Sequence, residues 1–259
     1  MLTVIAAVLY LLVSASHWTQ KRLPWQPWSD HLLLGIAIAA HAVGLQRIIV
    51  QQQGVDLGLF KALSLLGLII GLLALFSQIR RRGPDLLIWL LPLSAASAMG
   101  GALLTTGYEA RTFSFGLILH IMFALLAYAL FTVSVVYAFI VRAQDRALKH
   151  HKLSSLLMRL PPLQTMESAQ FRLLWISFIL LTLAMLIGFV STDSFLGPQL
   201  VHKTTFTLLA WVFFCILFAG HHLAGWRAVM TIRWLVPGYV LLTLGFFGSK
   251  VVLEFFLAG

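Results

Sequence analysis

The sequence predicts an all-α polytopic membrane protein: a bundle of eight transmembrane helices forming one integral membrane domain over 1–259. Two observations carry that prediction. Sixty per cent of the 259 residues are apolar and only 10% are charged, a balance that a single water-surrounded core cannot absorb. Stretches of roughly 18–25 mostly apolar residues, each long enough to cross about 30 Å of hydrocarbon as a helix, also recur along the whole chain. No internal repeat, low-complexity tract or soluble domain interrupts them.

The first span, 2–16, has no charged segment ahead of it, and its end "LVSASHW" is followed by seven further spans; this marks an anchored helix rather than a cleaved signal. Lys21 and Arg22 separate it from the second span, 31–50, whose middle reads "AIAAHAVGL". The third, 59–79, runs into Arg80, Arg81 and Arg82, and the fourth, 85–104, returns. The fifth, 113–141, holds "FGLILHIMFALLAYALF" and leads into the longest connection, about 142–172, which is rich in Arg and Lys. The sixth spans 173–192. The seventh, 203–225, opens on "QLVHKTTF" and ends on "FAGHHLAG"; the eighth, 234–256, follows Arg227 and Arg233.

The basic residues set the orientation, because Lys and Arg in short loops resist translocation. Alternate connections collect thirteen of the eighteen, while Arg47, Lys61, Arg111, Lys203 and Lys250 fall on the other side, most of them at span ends from which a long side chain snorkels. Both termini are therefore expected on the non-cytoplasmic side. The net charge of +10 follows from this asymmetry and from attraction to anionic lipid, so the bilayer is the expected partner and nucleic acid is not.

Catalytic equipment is scarce. Cys215 is the single cysteine and lies inside the seventh span, which excludes a disulfide within the chain and any thiolate cluster. There is no glycine-rich phosphate loop, no Ser-His-Asp order and no pair of intramembrane carboxylates; Asp56, Glu109, Asp193 and Glu254 sit near span ends.

The nine histidines remain. His17, His31, His150 and His151 flank or occupy basic connections and read as solvated or interfacial. His41 is different: its neighbours are apolar on both sides, and even neutral imidazole carries a donor and an acceptor that lipid cannot satisfy. It either bonds a neighbouring helix or binds something. His120 lies about two turns below the outer end of the fifth span, and His202 opens the seventh on that same side. His41 and the His221–His222 pair differ in depth by about 8–10 Å at 1.5 Å per residue, a separation that tilt can absorb. Two neutral imidazoles approaching a flat macrocycle from opposite sides would make a bis-histidine heme site.

The combination of "AHAVGL", "LHIMFALLAYALF", "PPLQTMESAQFRLLWISFILLTLAMLIGF", "HKTTFTLLAWVFF", "GHHLAGWR" and "GFFGSK" resembles the cytochrome c assembly superfamily of CcsA-type heme-handling membrane proteins, in its short eight-span YpjD/HemX-like branch. The resemblance implies a bacterial cytoplasmic (inner) membrane location, bound heme b, and dealings with other cytochrome maturation or heme-synthesis proteins. By position it makes His41 and His221 the axial ligands of heme iron within the membrane and His120 an external ligand. Arg227 follows the histidine pair at the boundary, where it serves as a propionate ligand or as a positive-inside anchor.

Two departures matter. The family's Trp-rich external segment is reduced here to "STDSFLGPQLVHK", and "VVLEFFLAG" after "GFFGSK" contains no histidine. His120 and His202 could share only a second, weaker heme at the outer level. The expected function is thus heme binding and transfer without complete ligase activity, so not an enzyme. The alternatives are a scaffold whose histidines bridge helices and, less well equipped because it lacks carboxylates, a proton pathway. Trp211 and Tyr128 read as packing residues, Trp211 with a second reading as a cavity wall.

Overall fold

The computed structural model describes residues 1–18, 26–80, 90–104, 110–150, 161–191, 201–226 and 228–251. The chain is an all-α polytopic membrane protein whose helices are α1 (Leu2–Trp18), α2 (Gln26–Ile49), α3 (Leu59–Arg80), α4 (Leu91–Leu103), α5 (Phe115–Lys149), α6 (Leu163–Ser191), α7 (Val201–Ala224) and α8 (Ala228–Thr243). A π-helical turn, Leu244–Gly248, and a short α9, Ser249–Val251, continue α8.

Six of the described helices are long and apolar enough to cross a membrane: Ser29–Ile49, Leu59–Ile79, Phe115–Lys149, Leu163–Ser191, His202–Ala224 and Met230–Val251. Leu2–Ser16 and Leu91–Leu103 are apolar but shorter than the roughly 20 residues a straight crossing needs. The expected fourth span begins at 85, and its start lies outside the described residues, as does the end of the eighth. Large apolar side chains such as Leu12, Ile36, Phe76, Phe189 and Val240 are exposed along the helices, as lipid-facing positions must be.

The chain forms two compact units. Unit 1 contains Met1–Phe113 together with Lys250–Gly259. Within it α1 packs on α2 and α4, and α3 packs on α2 and α4, around a core that includes Ala6, Tyr10, Leu34, Ala37, Ile70, Leu91 and Ala98. Small residues let these helices approach closely; a Cβ on Gly101 of α4 would lie 2.6 Å from the Cβ of Ser64 on α3. Such contacts are the usual basis of helix association where lipid removes the hydrophobic driving force. Unit 2 is Ser114–Ser249. There α5 packs along α6 and against α8, and α7 packs on α8 and α6, with Phe131 stacked on Phe214 at 4.2 Å between centroids.

One feature departs from a purely helical chain. Val50–Gln51 (β1) pairs antiparallel with Gly54–Val55 (β2), and Val55 exchanges main-chain hydrogen bonds with Arg111 at 2.9 and 3.2 Å. Beside this hairpin, buried Asp56 accepts from the Gly58 amide at 2.9 Å and forms an ion pair with Lys61, while Lys250 donates to the Leu57 carbonyl. The sequence assigns Lys61, Arg111 and Lys250 to one side of the membrane, and the fold gathers them at one end of unit 1.

Candidate functional site

The histidines fall into three environments. His41, on α2 in unit 1, is fully buried. Its Nδ1 lies 3.3 Å from the Tyr10 hydroxyl of α1, and its Nε2 lies 2.9 Å from the Ser64 hydroxyl of α3. One imidazole thus ties three helices together, and both of its nitrogens are satisfied. Gly71 admits the Tyr10 ring, since a Cβ there would come within 2.8 Å of the Tyr10 hydroxyl oxygen. As folded, both His41 nitrogens are engaged by hydroxyls, so neither is free to bind iron.

His120 is on α5 in unit 2. Its Nδ1 lies 2.6 Å from the Ala184 carbonyl of α6, and Gly188 makes that approach possible, because a Cβ there would sit 2.6 Å from the same nitrogen. A carbonyl only accepts, so Nδ1 carries the proton and Nε2 keeps the lone pair. His120 lines a cavity of about 60 Å³ with Tyr128, Lys203, Thr207, Phe246 and several apolar residues. That space holds a few waters and falls well short of the roughly 300–1,000 Å³ of small-molecule pockets. A macrocycle does not fit it as folded. His202 is exposed at the start of α7, and its neighbour Lys203 faces the cavity instead. Adjacent helical residues point about 100° apart, so one of the two must turn away.

His221 and His222 lie at the end of α7 in unit 2, and their environments differ. The His221 ring stacks on Phe171 of α6, with centroids 3.6 Å apart and planes 19° from parallel. Its Nδ1 is 2.9 Å from the Trp226 carbonyl, so by the same reasoning Nδ1 donates and the lone pair sits on Nε2. Among the described residues Nε2 has no hydrogen-bond partner. His222 is exposed, makes no hydrogen bond among the described residues, and leans on Trp175 at 5.5 Å.

Rings continue from His221 along the seam between α6 and α7. Trp175 stacks on Phe218 at 4.1 Å, Phe178 stacks on Trp211 at 5.7 Å, and the Trp211 indole N–H donates to the Thr182 hydroxyl at 3.1 Å. From residue 171 to 182 this seam runs about 16 Å at the helical rise. It is a row of paired, polarizable rings that begins at an imidazole whose Nε2 has no hydrogen-bond partner among the described residues. A metal-ligating histidine has this arrangement, with the far nitrogen donating to a carbonyl that fixes the tautomer. His221 thus has the fixed tautomer and the unpartnered nitrogen that a metal-ligating histidine shows, and among the described residues no cluster of His, Cys, Asp and Glu offers a bare metal ion a site. Arg227 lies outside the described residues, as do His151, Glu109, Asp193 and Glu254.

Some contributors were not singled out by sequence reasoning. Phe171 and the Trp226 carbonyl hold His221; Tyr10 and Ser64 hold His41. Tyr128, read as packing, does pack on Phe247 at 5.3 Å, and it also donates to Thr243 at 2.5 Å. Close by, Thr132 and Tyr239 share a hydrogen bond of 2.7 Å.

Residues 28–257 match the family described as cytochrome C assembly protein. The chain is 30% identical over 225 residues to the inner membrane protein YpjD of Escherichia coli K12, an alignment covering 84% of this chain and 83% of that one. It is 31% identical over 140 residues, about half of each chain, to an uncharacterized 28.8 kDa protein of Azospirillum brasilense encoded in a nifR3-like 5' region. No solved structure matches it significantly. With that family's pattern extending through nearly its whole length, the chain belongs to the cytochrome C assembly protein family.

Proposed function

We propose that this protein is a heme-handling protein of the bacterial inner membrane, serving cytochrome c maturation or heme synthesis by holding heme b and passing it on, without completing its covalent attachment. The observation that carries the proposal is His221: its lone pair is open at Nε2, its tautomer is fixed by a main-chain carbonyl, and an aromatic seam for a planar apolar cargo begins at its ring. Heme bound here would be held through the His221 imidazole. The chain would supply the nitrogen and the aromatic lining. His221, rather than exposed His222, is the ligand, and Arg227, two residues past the helix cap, is the propionate partner.

His41 is assigned to bridging helices, since both its nitrogens are bonded inside unit 1. His221 would then be the one histidine holding heme within the membrane. A second reading, a helix-bridging scaffold that never binds heme, is favoured by His41 itself, and heme content separates the two. Purified in mild detergent, the protein should show a Soret band that His221→Ala abolishes or strongly reduces and His222→Ala leaves unchanged. A colourless protein that also fails to take up added hemin supports the scaffold.

In this reading α1 and α4 complete eight crossings, the basic connections face the cytoplasm and both termini lie outside. The two units work as one membrane domain. Cytochrome maturation or heme-synthesis proteins in the same membrane are the expected partners.

A further inference from the structure

His221 is held by its own chain only five residues on, in the segment "GHHLAGW". The helix ends at Ala224, and Gly225 takes the left-handed conformation with φ +61°, the usual way a helix is capped and turned back. The Trp226 amide then donates to the Gly220 carbonyl at 3.2 Å, and its carbonyl meets His221 Nδ1. The indole lies flat across Gly220, where a Cβ would come within 2.2 Å of a ring carbon. Its outer side stacks on Trp234 of α8 at 5.8 Å, 14° from parallel. Two glycines and two tryptophans thus place one carbonyl oxygen. Phe171 sets the plane of the imidazole and that carbonyl sets its rotation within the plane. His222 is given neither restraint.

We propose that the Trp226 main-chain carbonyl is a positioning group. It locks His221 into the Nδ1–H tautomer and aims Nε2 away from the helix end, and Gly220, Gly225 and Trp234 hold it there. The proposal rests on His221 being the heme ligand for its functional consequence, but the locked tautomer is a property of the protein without heme. An Nδ1–H bonded to a carbonyl makes Nε2 a stronger donor to a metal, and partners of this kind commonly account for about 10- to 100-fold in metal affinity. Tightening the bond to iron favours its oxidised form, so loosening the carbonyl should raise the midpoint potential.

The test uses the full-length protein in detergent micelles and three variants. Gly225→Val places a β-branched residue where φ is positive and displaces the carbonyl. Trp226→Ala keeps the backbone chemistry but removes the ring that anchors it between Gly220 and Trp234. Gly225→Asn tolerates the left-handed conformation and serves as the conservative control. Nitrogen-15 imidazole spectra of the heme-free protein should show His221 as a single Nδ1–H tautomer in the wild type and in Gly225→Asn, and as a tautomer mixture in Gly225→Val and Trp226→Ala. In the heme-loaded forms the last two should release heme about 10- to 100-fold faster to an apoprotein acceptor and titrate at a more positive potential. Unchanged tautomer, release rate and potential in Gly225→Val and Trp226→Ala would overturn the proposal. If the tautomer responds as stated while His221→Ala leaves the heme spectrum untouched, the positioning role stands and the assignment of His221 as ligand falls.

Discussion

Replacing His41 by Ala should destabilise the protein strongly while leaving its heme spectrum alone, and the size of the effect follows from the contacts. Tyr10→Phe removes the longer bond, 3.3 Å to Nδ1, and leaves that nitrogen without a partner, for about 0.6–1 kcal/mol. Ser64→Ala removes the 2.9 Å bond and strands a nitrogen in a site closed to water, for about 1–2 kcal/mol. His41→Ala loses both bonds and leaves a void as large as an imidazole. The helices around it are already in contact through glycines, as at Gly101 against Ser64, so they cannot close far. Truncations of buried rings cost about 3–5 kcal/mol, and His41→Ala should fall near the lower end of that range, exceeding the sum of the two single losses. Unfolding by sodium dodecyl sulfate in mixed micelles, followed by tryptophan fluorescence, measures all three variants. A His41→Ala protein within 0.5 kcal/mol of wild type, or one that keeps its stability but loses its heme, would refute the bridging role and return His41 to the iron.

Three further outcomes follow. Lys61→Met should cost about 3 kcal/mol by leaving the Asp56 carboxylate buried without its cation, and Asp56→Asn made in the same background should recover part of it; loss in both alike would mean that the ion pair is not what matters. Alkaline phosphatase fused after residue 259 should be active and a cytoplasmic reporter at the same place silent, whereas the reverse pattern would invert the orientation drawn from the thirteen basic residues. In cells lacking their own heme lyase but retaining that system's other components, this protein should leave a reporter apocytochrome c without covalent heme, and a heme-stained reporter would make it a ligase.

Hydropathy is a local property, and so the long helices and the basic connections between them could be read directly from the chain. Leu2–Ser16 and Leu91–Leu103 mark the limit of that reading, because their described lengths fall short of a straight crossing and the start of the fourth expected span lies outside the described residues. The β1–β2 hairpin left no sequence trace: its strands have two residues each, and glutamines at its turn are not turn formers. At the candidate site, sequence could tell that His41 needs a partner but not which one, since Tyr10 and Ser64 are 31 and 23 residues away. Likewise nothing in "LVHKTT" says whether His202 or Lys203 turns inward until α7 meets its neighbours. The sequence leaves open which of His221 and His222 turns to a partner, and the fold gives the two rings different surroundings. The carbonyl that holds His221 is five residues along the chain, and the glycines on either side of the pair mark a cap built for close approach. The aromatic seam is half legible: the sequence reads Trp211 as a packing residue or a cavity wall, and it is half-buried with its indole nitrogen bonded to Thr182.

Whether His221 presents an open nitrogen to heme is decided by the absorption spectrum of the purified protein and its His221→Ala and His222→Ala variants, as isolated and after titration with hemin. A Soret band with a high-spin, five-coordinate signature is expected in the wild type and in His222→Ala, and its loss in His221→Ala. A spectrum that is the same in all three, or a wild-type protein that stays colourless through the titration, would contradict that role for His221.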